Sequence, residues 1–223
     1  MSINYQVQRS SRSKNLRLKI NANGNVVVSA PPRTTDQVIG RFVSDNMDWI
    51  TRNLAKVTAR KVQLDPDQMM VFGQTYQRVI HTILDRVGTH PVFIQDGKIH
   101  LQPVSPTAKS IQRTFETFLK TTAQKYIVPR TKQLSEVMNI SYTTLTLRDQ
   151  KTRWGSCSSH GGLNFNWRLV QYPTAVIDYV IIHELAHRRE MNHSNRFWAI
   201  VAKFDPEYHS RRKWLQRYGS TLD

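Results

Sequence analysis

The stretch Val180-Ile-Ile-His-Glu-Leu-Ala-His187 sets two histidines four residues apart, with a glutamate directly after the first. Residues four apart on an α-helix project from one face, so His183 and His187 can reach a single Zn2+ through imidazole nitrogens about 2.0–2.1 Å from the metal. Glu184 is turned about 100° from His183 around the helix axis and flanks that position. A carboxylate there can take a proton from a zinc-bound water, the general-base role in zinc-dependent peptide hydrolysis. The surroundings favour a metal over a chance pattern. Val176, Ile177, Val180, Ile181 and Leu185 make the helix strongly apolar, and burying imidazole and carboxyl groups in it without a partner is costly; coordination removes that cost.

A zinc of this kind needs a third protein ligand. The downstream candidates are Glu190, His193, Glu207 and His209. Glu190 shares the helix face, but its Cα would lie about 10.5 Å along the axis from that of His183, too far for easy reach. A helix that ends near Met191-Asn192, with Asn192 in the left-handed conformation, lets the chain fold back and bring His193 under the metal. Ser194 or Asn195 then caps a helix through Phe197, Trp198, Val201 and Phe204. The spacing from His187 to His193 equals that of the metzincin pattern H-E-x-x-H-x-x-G-x-x-H. Glu190 nevertheless stands where its glycine belongs, and no methionine follows His193 to make a Met-turn. The ligand set read from the sequence is therefore His183, His187 and His193, without the metzincin label.

Ahead of this helix, Arg153-Trp-Gly-Ser-Cys-Ser158 and a Gly161-Gly162 turn lead into Leu163-Asn-Phe-Asn-Trp-Arg168. A strand over 163–167 in that place could offer its edge to an extended peptide, which would pair by strand addition; an ordinary sheet strand with Trp154 and Trp167 in the core accounts for it equally well. Arg153, Asn166 and Arg168 could line a cleft, stabilise an oxyanion or simply pair within the sheet. Cys157 has no His/Asp framework around it and reads as a small hydrophobe rather than a nucleophile. Tyr142, Leu145 and Leu147, alternating with threonines, predict a strand before this run.

The first hundred residues are β-rich. Leu16-Arg-Leu-Lys-Ile20 and Val26-Val-Val-Ser29 flank Asn23-Gly24, a strong hairpin signal, and should pair antiparallel. Thr34, Thr35 or Asp36 can cap one long helix over about 35–61, with Ile39, Val43, Met47, Ile50 and Leu54 at helical spacing. Short turn-punctuated runs at 70–72, 76–84, 92–94 and 99–101 predict a small antiparallel sheet. His81, His90 and His100 lie there without metal-ligand spacing. Pro103 to Pro106 marks the expected boundary between a β-rich segment, 1–105, and a catalytic part, 106–223. Beyond it a helical pattern carries Ile111, Phe115, Phe118, Leu119 and Tyr126, and Pro129 should kink or end that helix.

The chain has 223 residues, 32 Lys and Arg against 16 Asp and Glu, and one cysteine. That length supports a real core. One cysteine excludes an internal disulfide, and the absence of a signal-like or membrane-spanning apolar run leads to the expectation of a cytoplasmic protein with no membrane contact. A net charge of +16 attracts polyanions, so nucleic acid is kept as a candidate partner through the basic surface.

The run R-W-G-S-C-S, then L-N-x-N-W-R-L, then Y-V-I-I-H-E-L-A-H and N-H-S-x-x-F-W, in that order, resembles the YgjP-like zinc metallopeptidase family. The resemblance covers nearly the whole chain, with the last hundred or so residues its specific part. That family is similar to the SprT/Spartan and WLM peptidases, in which an H-x-x-F-type element after the H-E-x-x-H helix supplies the third histidine. The resemblance implies His183, His187 and His193 as zinc ligands and Glu184 as catalytic base, in agreement with the helix geometry.

The expectation is an α+β protein: a β-rich N-terminal part, then a helical zincin-like catalytic part with a short antiparallel sheet preceding the H-E-x-x-H helix. Its expected activity is zinc-dependent hydrolysis of peptide or protein substrates. Two alternatives are carried: hydrolysis of a small anionic substrate such as a nucleotide phosphoanhydride, and a DNA-associated SprT-like protease.

Overall fold

The computed structural model describes residues 3–21, 24–60, 67–82, 84–150 and 152–219. They divide into two compact units, Met1–Val62 with Arg217–Asp223, and Gln63–Gln216.

In the first unit, β1 (Tyr5–Arg9), β2 (Arg17–Ile20) and β3 (Val26–Ala30) form a sheet in the order β1-β3-β2. β2 pairs antiparallel with β3, Leu18 opposite Val28, as the sequence predicts; Asn23 of the expected turn lies outside the described residues. β1 adds to the other side of β3 in parallel. Val26, Val28 and Ala30 on one face of β3 pack with Ile39, Val43 and Ile50. The helix expected over about 35–61 is two helices, α1 (Asp36–Asp45) and α2 (Met47–Arg60); Lys61 lies outside the described residues. Thr35 caps α1 by accepting from the Val38 N–H. Asn46 separates the two helices: its side-chain amide donates 2.8 Å to the Phe42 carbonyl, and such local bonds let asparagine compete with helix backbone.

The second unit starts with β4 (Gln68–Val71), β5 (Gln74–Ile80), β6 (Val92–Gln95) and β7 (Lys98–Leu101), in the order β4-β5-β7-β6. The sheet is mixed rather than antiparallel, because β5 and β7 run parallel. Asp96 and Gly97, both at positive φ, close a tight hairpin of the kind that suits the strand twist, so the β6–β7 pair docks on β5 as a unit. Ile83, within the predicted 76–84 strand, lies outside the described residues. The sheet is stitched into the rest of this unit by the Phe72 and Gly73 N–H groups, which donate to the Val170 and Gln171 carbonyls at 2.7 and 3.0 Å. The compact units therefore part near residue 62, and residues 68–101 group with 106–216, whereas the prolines at 103 and 106 suggested a boundary there.

Helix α3 (Ala108–Met138) runs for 31 residues and passes through Pro129 without ending. A proline inside a helix costs roughly 3 kcal/mol. Against that, Leu119, Ile127, Leu134 and Met138 are buried along one stripe of the helix, each worth about 1.5–3 kcal/mol. The helix stops at Asn139, which is left-handed at φ 51, a common way to close a C-terminus.

The next sheet contains β8 (Thr144–Arg148), β9 (Gly155–Cys157) and β10 (Gly162–Asn166), in the order β8-β10-β9. It too is mixed: β10 is parallel to β8 and antiparallel to β9. This corrects the reading of 163–167 as a strand edge open to substrate. β10 is the middle strand with both sides paired, and Trp167 belongs to a 3-10 turn, Trp167–Gln171. Beside the H-E-x-x-H helix the edge strand among the described residues is β9. That helix, α4 (Thr174–Ala186), follows at once, and α5 (Asn195–Phe204) and α6 (Tyr208–Tyr218) complete the chain. Arg130 on α3 holds Asp178 on α4 through two bonds, 2.9 and 2.6 Å. The architecture is α+β, strands dominating early and helices late.

Candidate metal centre

Helix α4 is apolar nearly all round. Val176, Ile177, Val180, Ile181, Ile182 and Leu185 are buried, which fixes its rotation and so the direction of its polar groups. His183 and His187 face the same side, ring centroids 4.9 Å apart. The helix ends at Ala186, earlier than expected, and His187 keeps helical backbone at φ −62 and ψ −17. The return is made by a tight turn, in which the N–H groups of Arg188 and Arg189 bond to the Leu185 and Ala186 carbonyls. Asn192 is not among the left-handed residues; the fold-back is achieved without it.

Two arginines hold this turn. Arg189 donates to the carbonyls of Met138 and Asn139, at 3.2 and 3.0 Å, and so also closes the C-terminus of α3. Arg188 donates to the Ser141 and Ser159 carbonyls. Ser194 then caps α5 by accepting from the Phe197 N–H. The chain arrives with His193 beside the helix pair: its Nε2 lies 3.0 Å from His183 Nε2, and ligand atoms of His183, His187 and His193 all fall within 4.8 Å of one another.

The other ligand candidates are elsewhere. Glu190 contributes only its backbone, accepting from His187 Nδ1 at 3.1 Å. Glu207 pairs with Arg211. The His209 ring packs tilted against Tyr208, centroids 4.0 Å apart. Cys157 is half-buried and outside the histidine group; burial and the nearby Glu184 push its thiol pKa up, away from a reactive thiolate. His81 and His100 bond to each other at 2.9 Å and stack with Phe93, a packing role.

The donor set fits a divalent transition metal. The Glu190 carbonyl can only accept, so His187 Nδ1 carries the proton and Nε2 is left as a lone-pair donor. Burial, then the two neighbouring imidazoles, push the His183 pKa down to about 3, and burial lowers that of His187. Neutral imidazole is the metal-binding form. His183 Nδ1 is buried without a hydrogen-bond partner, and its ring is held by packing instead. Phe197, fully buried, contacts all three imidazoles at centroid distances of 4.9, 4.5 and 4.8 Å, and Trp198 stacks on His193 at 5.6 Å.

Beside the histidines is a cleft of about 210 Å³, lined by Arg153, Trp154, Gly155, Tyr179, His183 and Glu184 among others. Glu184 is only 7% exposed; burial pushes its carboxyl up to about 8, with Arg153 pulling the other way. A larger hollow of about 410 Å³ lies along α3 beside His90 and Phe118, but the histidine group is not there. Asn166 and Arg168 are structural. Asn166 is buried, donates to the Gln150 carbonyl at 2.7 Å and caps the 3-10 turn at Arg168. Arg168 lies 4.1 Å from the Trp167 ring and pairs with Asp149. Sequence reasoning missed Gly155, whose lack of a side chain admits Glu184, and Tyr179. The signal for Tyr179 was its place one helical turn before His183.

The match to family models decides what this arrangement belongs to. Residues 14–218 match the model described as YgjP-like, metallopeptidase domain. The chain belongs to the YgjP-like metallopeptidase family. A metallopeptidase works through a bound metal, and in this YgjP-like chain the three clustered histidines are the group able to hold one among the described residues. No curated protein matches it. Among solved structures it is similar to the zymogen of Pyrococcus abyssi abylysin, at 22% identity over 41% of this chain and 97% of that one, with a TM-score of 0.36. The zymogen of Methanocaldococcus jannaschii jannalysin is similar at 21% identity, over 40% and 94%, with a TM-score of 0.37. No helix among the described residues of the YgjP-like chain is long and apolar enough to cross a membrane.

Proposed function

We propose that this YgjP-like protein is a zinc-dependent peptidase in which His183, His187 and His193 hold the metal and Glu184 is the general base. The observation that carries this reading is the convergence of three imidazoles beside a buried glutamate at the wall of a cleft. Zinc is favoured by the donor set of three imidazole nitrogens. Bound there, a zinc ion supplies a Lewis acid that polarises a carbonyl and lowers the pKa of a water.

The chain's own groups do the rest. Glu184 takes a proton from the attacking water and returns it to the leaving amine, and burial raises its pKa towards the working range of an acid–base catalyst. Strand β9 has one side paired to β10 and ends the sheet at the other, so an extended peptide can add there as a further strand. Gly155 on β9 touches Glu184, which brings a peptide on that edge close to the base.

The test is metal content and turnover together. Purified protein should carry zinc, lose proteolysis on chelation and regain it with added zinc. Glu184→Gln should keep the metal and lose hydrolysis, whereas His193→Ala should lose both. Full peptide cleavage by Glu184→Gln, or hydrolysis of nucleotides with no cleavage of any peptide, would overturn the assignment.

A further inference from the structure

The cleft holds one acidic residue, Glu184, and it is buried against the backbone of β9. Arg153, exposed, lines the same cleft, close enough for its charge to act on the Glu184 carboxyl. Other arginines around the site are occupied. Arg168 pairs with Asp149 and lies over Trp167. Arg188 and Arg189 cap backbone carbonyls. Arg211 pairs with Asp205 and Glu207, and Arg212 stacks on Trp198 at 4.6 Å. Among the described residues, the Arg153 guanidinium has neither a carboxylate nor a carbonyl within hydrogen-bonding distance.

Its backbone, in contrast, is fixed. The Trp154 carbonyl accepts from the Asn166 N–H at 2.9 Å, the Asn166 side chain reaches the Arg153 carbonyl at 3.5 Å, and the Trp154 ring meets Tyr172 edge-on at 4.8 Å. A planar five-donor cation on a hydrogen-bonded backbone, unpaired and lining a cleft, is suited to take a carboxylate in a two-pronged bond.

Resting on the peptidase reading, we propose that Arg153 makes the cleft selective for peptide segments that carry an Asp or Glu side chain next to the scissile bond. Arg153 is a specificity-determining residue in this scheme: it adds binding energy to acidic substrate and transition state alike, so its loss raises KM for acidic peptides more than for neutral ones. The net charge of +16 acts in the same direction at long range by drawing acidic segments to the surface.

The experiment uses the full chain loaded with zinc and carrying Glu184→Gln, so that peptide binds without being cut. Three labelled peptides identical except for a central Asp, Asn or Lys are titrated by fluorescence anisotropy, with Arg153 intact and with Arg153→Glu or Arg153→Lys. The Asp peptide should bind on the order of tenfold more tightly than the Asn peptide at low salt, and the gap should shrink as salt screens the pair. Arg153→Glu should invert the order in favour of the Lys peptide, and Arg153→Lys should keep a weakened acidic preference. Equal binding of Asp and Asn peptides overturns the proposal alone. So does a fall in kcat, at unchanged KM, for all peptides in Arg153 variants that retain Glu184, since that marks oxyanion stabilisation instead. Failure of all three peptides to bind overturns the peptidase reading and this proposal with it.

Discussion

Glu184 lies against the backbone of Gly155. A Cβ built on Gly155 would stand 2.6 Å from Glu184 Cγ and 2.7 Å from its Oε1, distances no real side chain tolerates. The glycine of the Arg153-Trp-Gly155 run is thus the surface on which the glutamate rests. Gly155→Ala must push either the strand or the glutamate aside. The expected result is a modest loss of stability, about 1–3 kcal/mol as for other overpacked sites, with a much larger loss of turnover, on the order of 100-fold for a displacement near 1 Å. Thermal melts beside peptide hydrolysis check this; a variant with full turnover would show that Glu184 does not depend on that contact.

Metal-free protein should show a pH signature of the buried pair. The Glu184 pKa is raised from 4.5 to about 8, so between those values the folded chain holds more protons than the unfolded one and stability falls as pH rises. The His183 pKa is lowered from 6.5 to about 3, so in that range the unfolded chain holds more protons and stability rises with pH. The trends oppose each other up to pH 6.5 and leave a decline from there to about 8. Glu184→Gln removes the decline, so the metal-free variant should gain about 2 kcal/mol on the wild type across that window. Urea denaturation at pH 6.5 and 8 measures it, and parallel behaviour of the two proteins would reject it.

Phe197 supports three imidazoles at once. Phe197→Ala should cost about 3–5 kcal/mol, the usual penalty for emptying a buried aromatic site, and weaken metal binding because the histidine rings lose their common floor. Phe197→Leu fills much of the space and should recover part of both. Melting temperature and metal stoichiometry are the readouts; unaltered metal affinity in Phe197→Ala would show that the rings are held by other contacts.

Arg189 ties the turn after His187 to the end of α3. Arg189→Met keeps the bulk of the stem and removes both bonds to the Met138 and Asn139 carbonyls, at a cost of about 1–2 kcal/mol. Metal affinity should fall as well, since the same turn delivers His193. A competition titration against a chelator detects that, and a loss of stability with unchanged metal affinity would confine Arg189 to capping α3.

The histidine cluster and the glutamate beside it were legible in the residues because helix periodicity is local: four residues apart is one face wherever the helix goes. The return to His193 was legible for a similar reason, a serine cap ahead of an apolar stripe. Asn46, which divides α1 from α2, and Pro129, which does not divide α3, went the other way, because a cap competing with helix and a buried stripe outweighing a proline are decided by packing. Strand partners were hidden for a stronger reason. Nothing in the residues of β10 says whether one neighbour or two will pair with it, since alternation marks a strand's faces and not its edges.

By itself, then, the sequence determined an α+β chain carrying an H-E-x-x-H helix, a third histidine and a family membership that names its chemistry. Only the tertiary structure decided that β9 rather than β10 ends the sheet at the cleft, that Gly155 admits Glu184, that Asn166 and Arg168 are spent on the fold, and that Arg153 is left unpaired. Each of these depends on which distant segments meet. Contacts across long sequence separations come from the packing of the whole unit, whereas a metal-binding pattern on one helix needs only the pitch of the backbone.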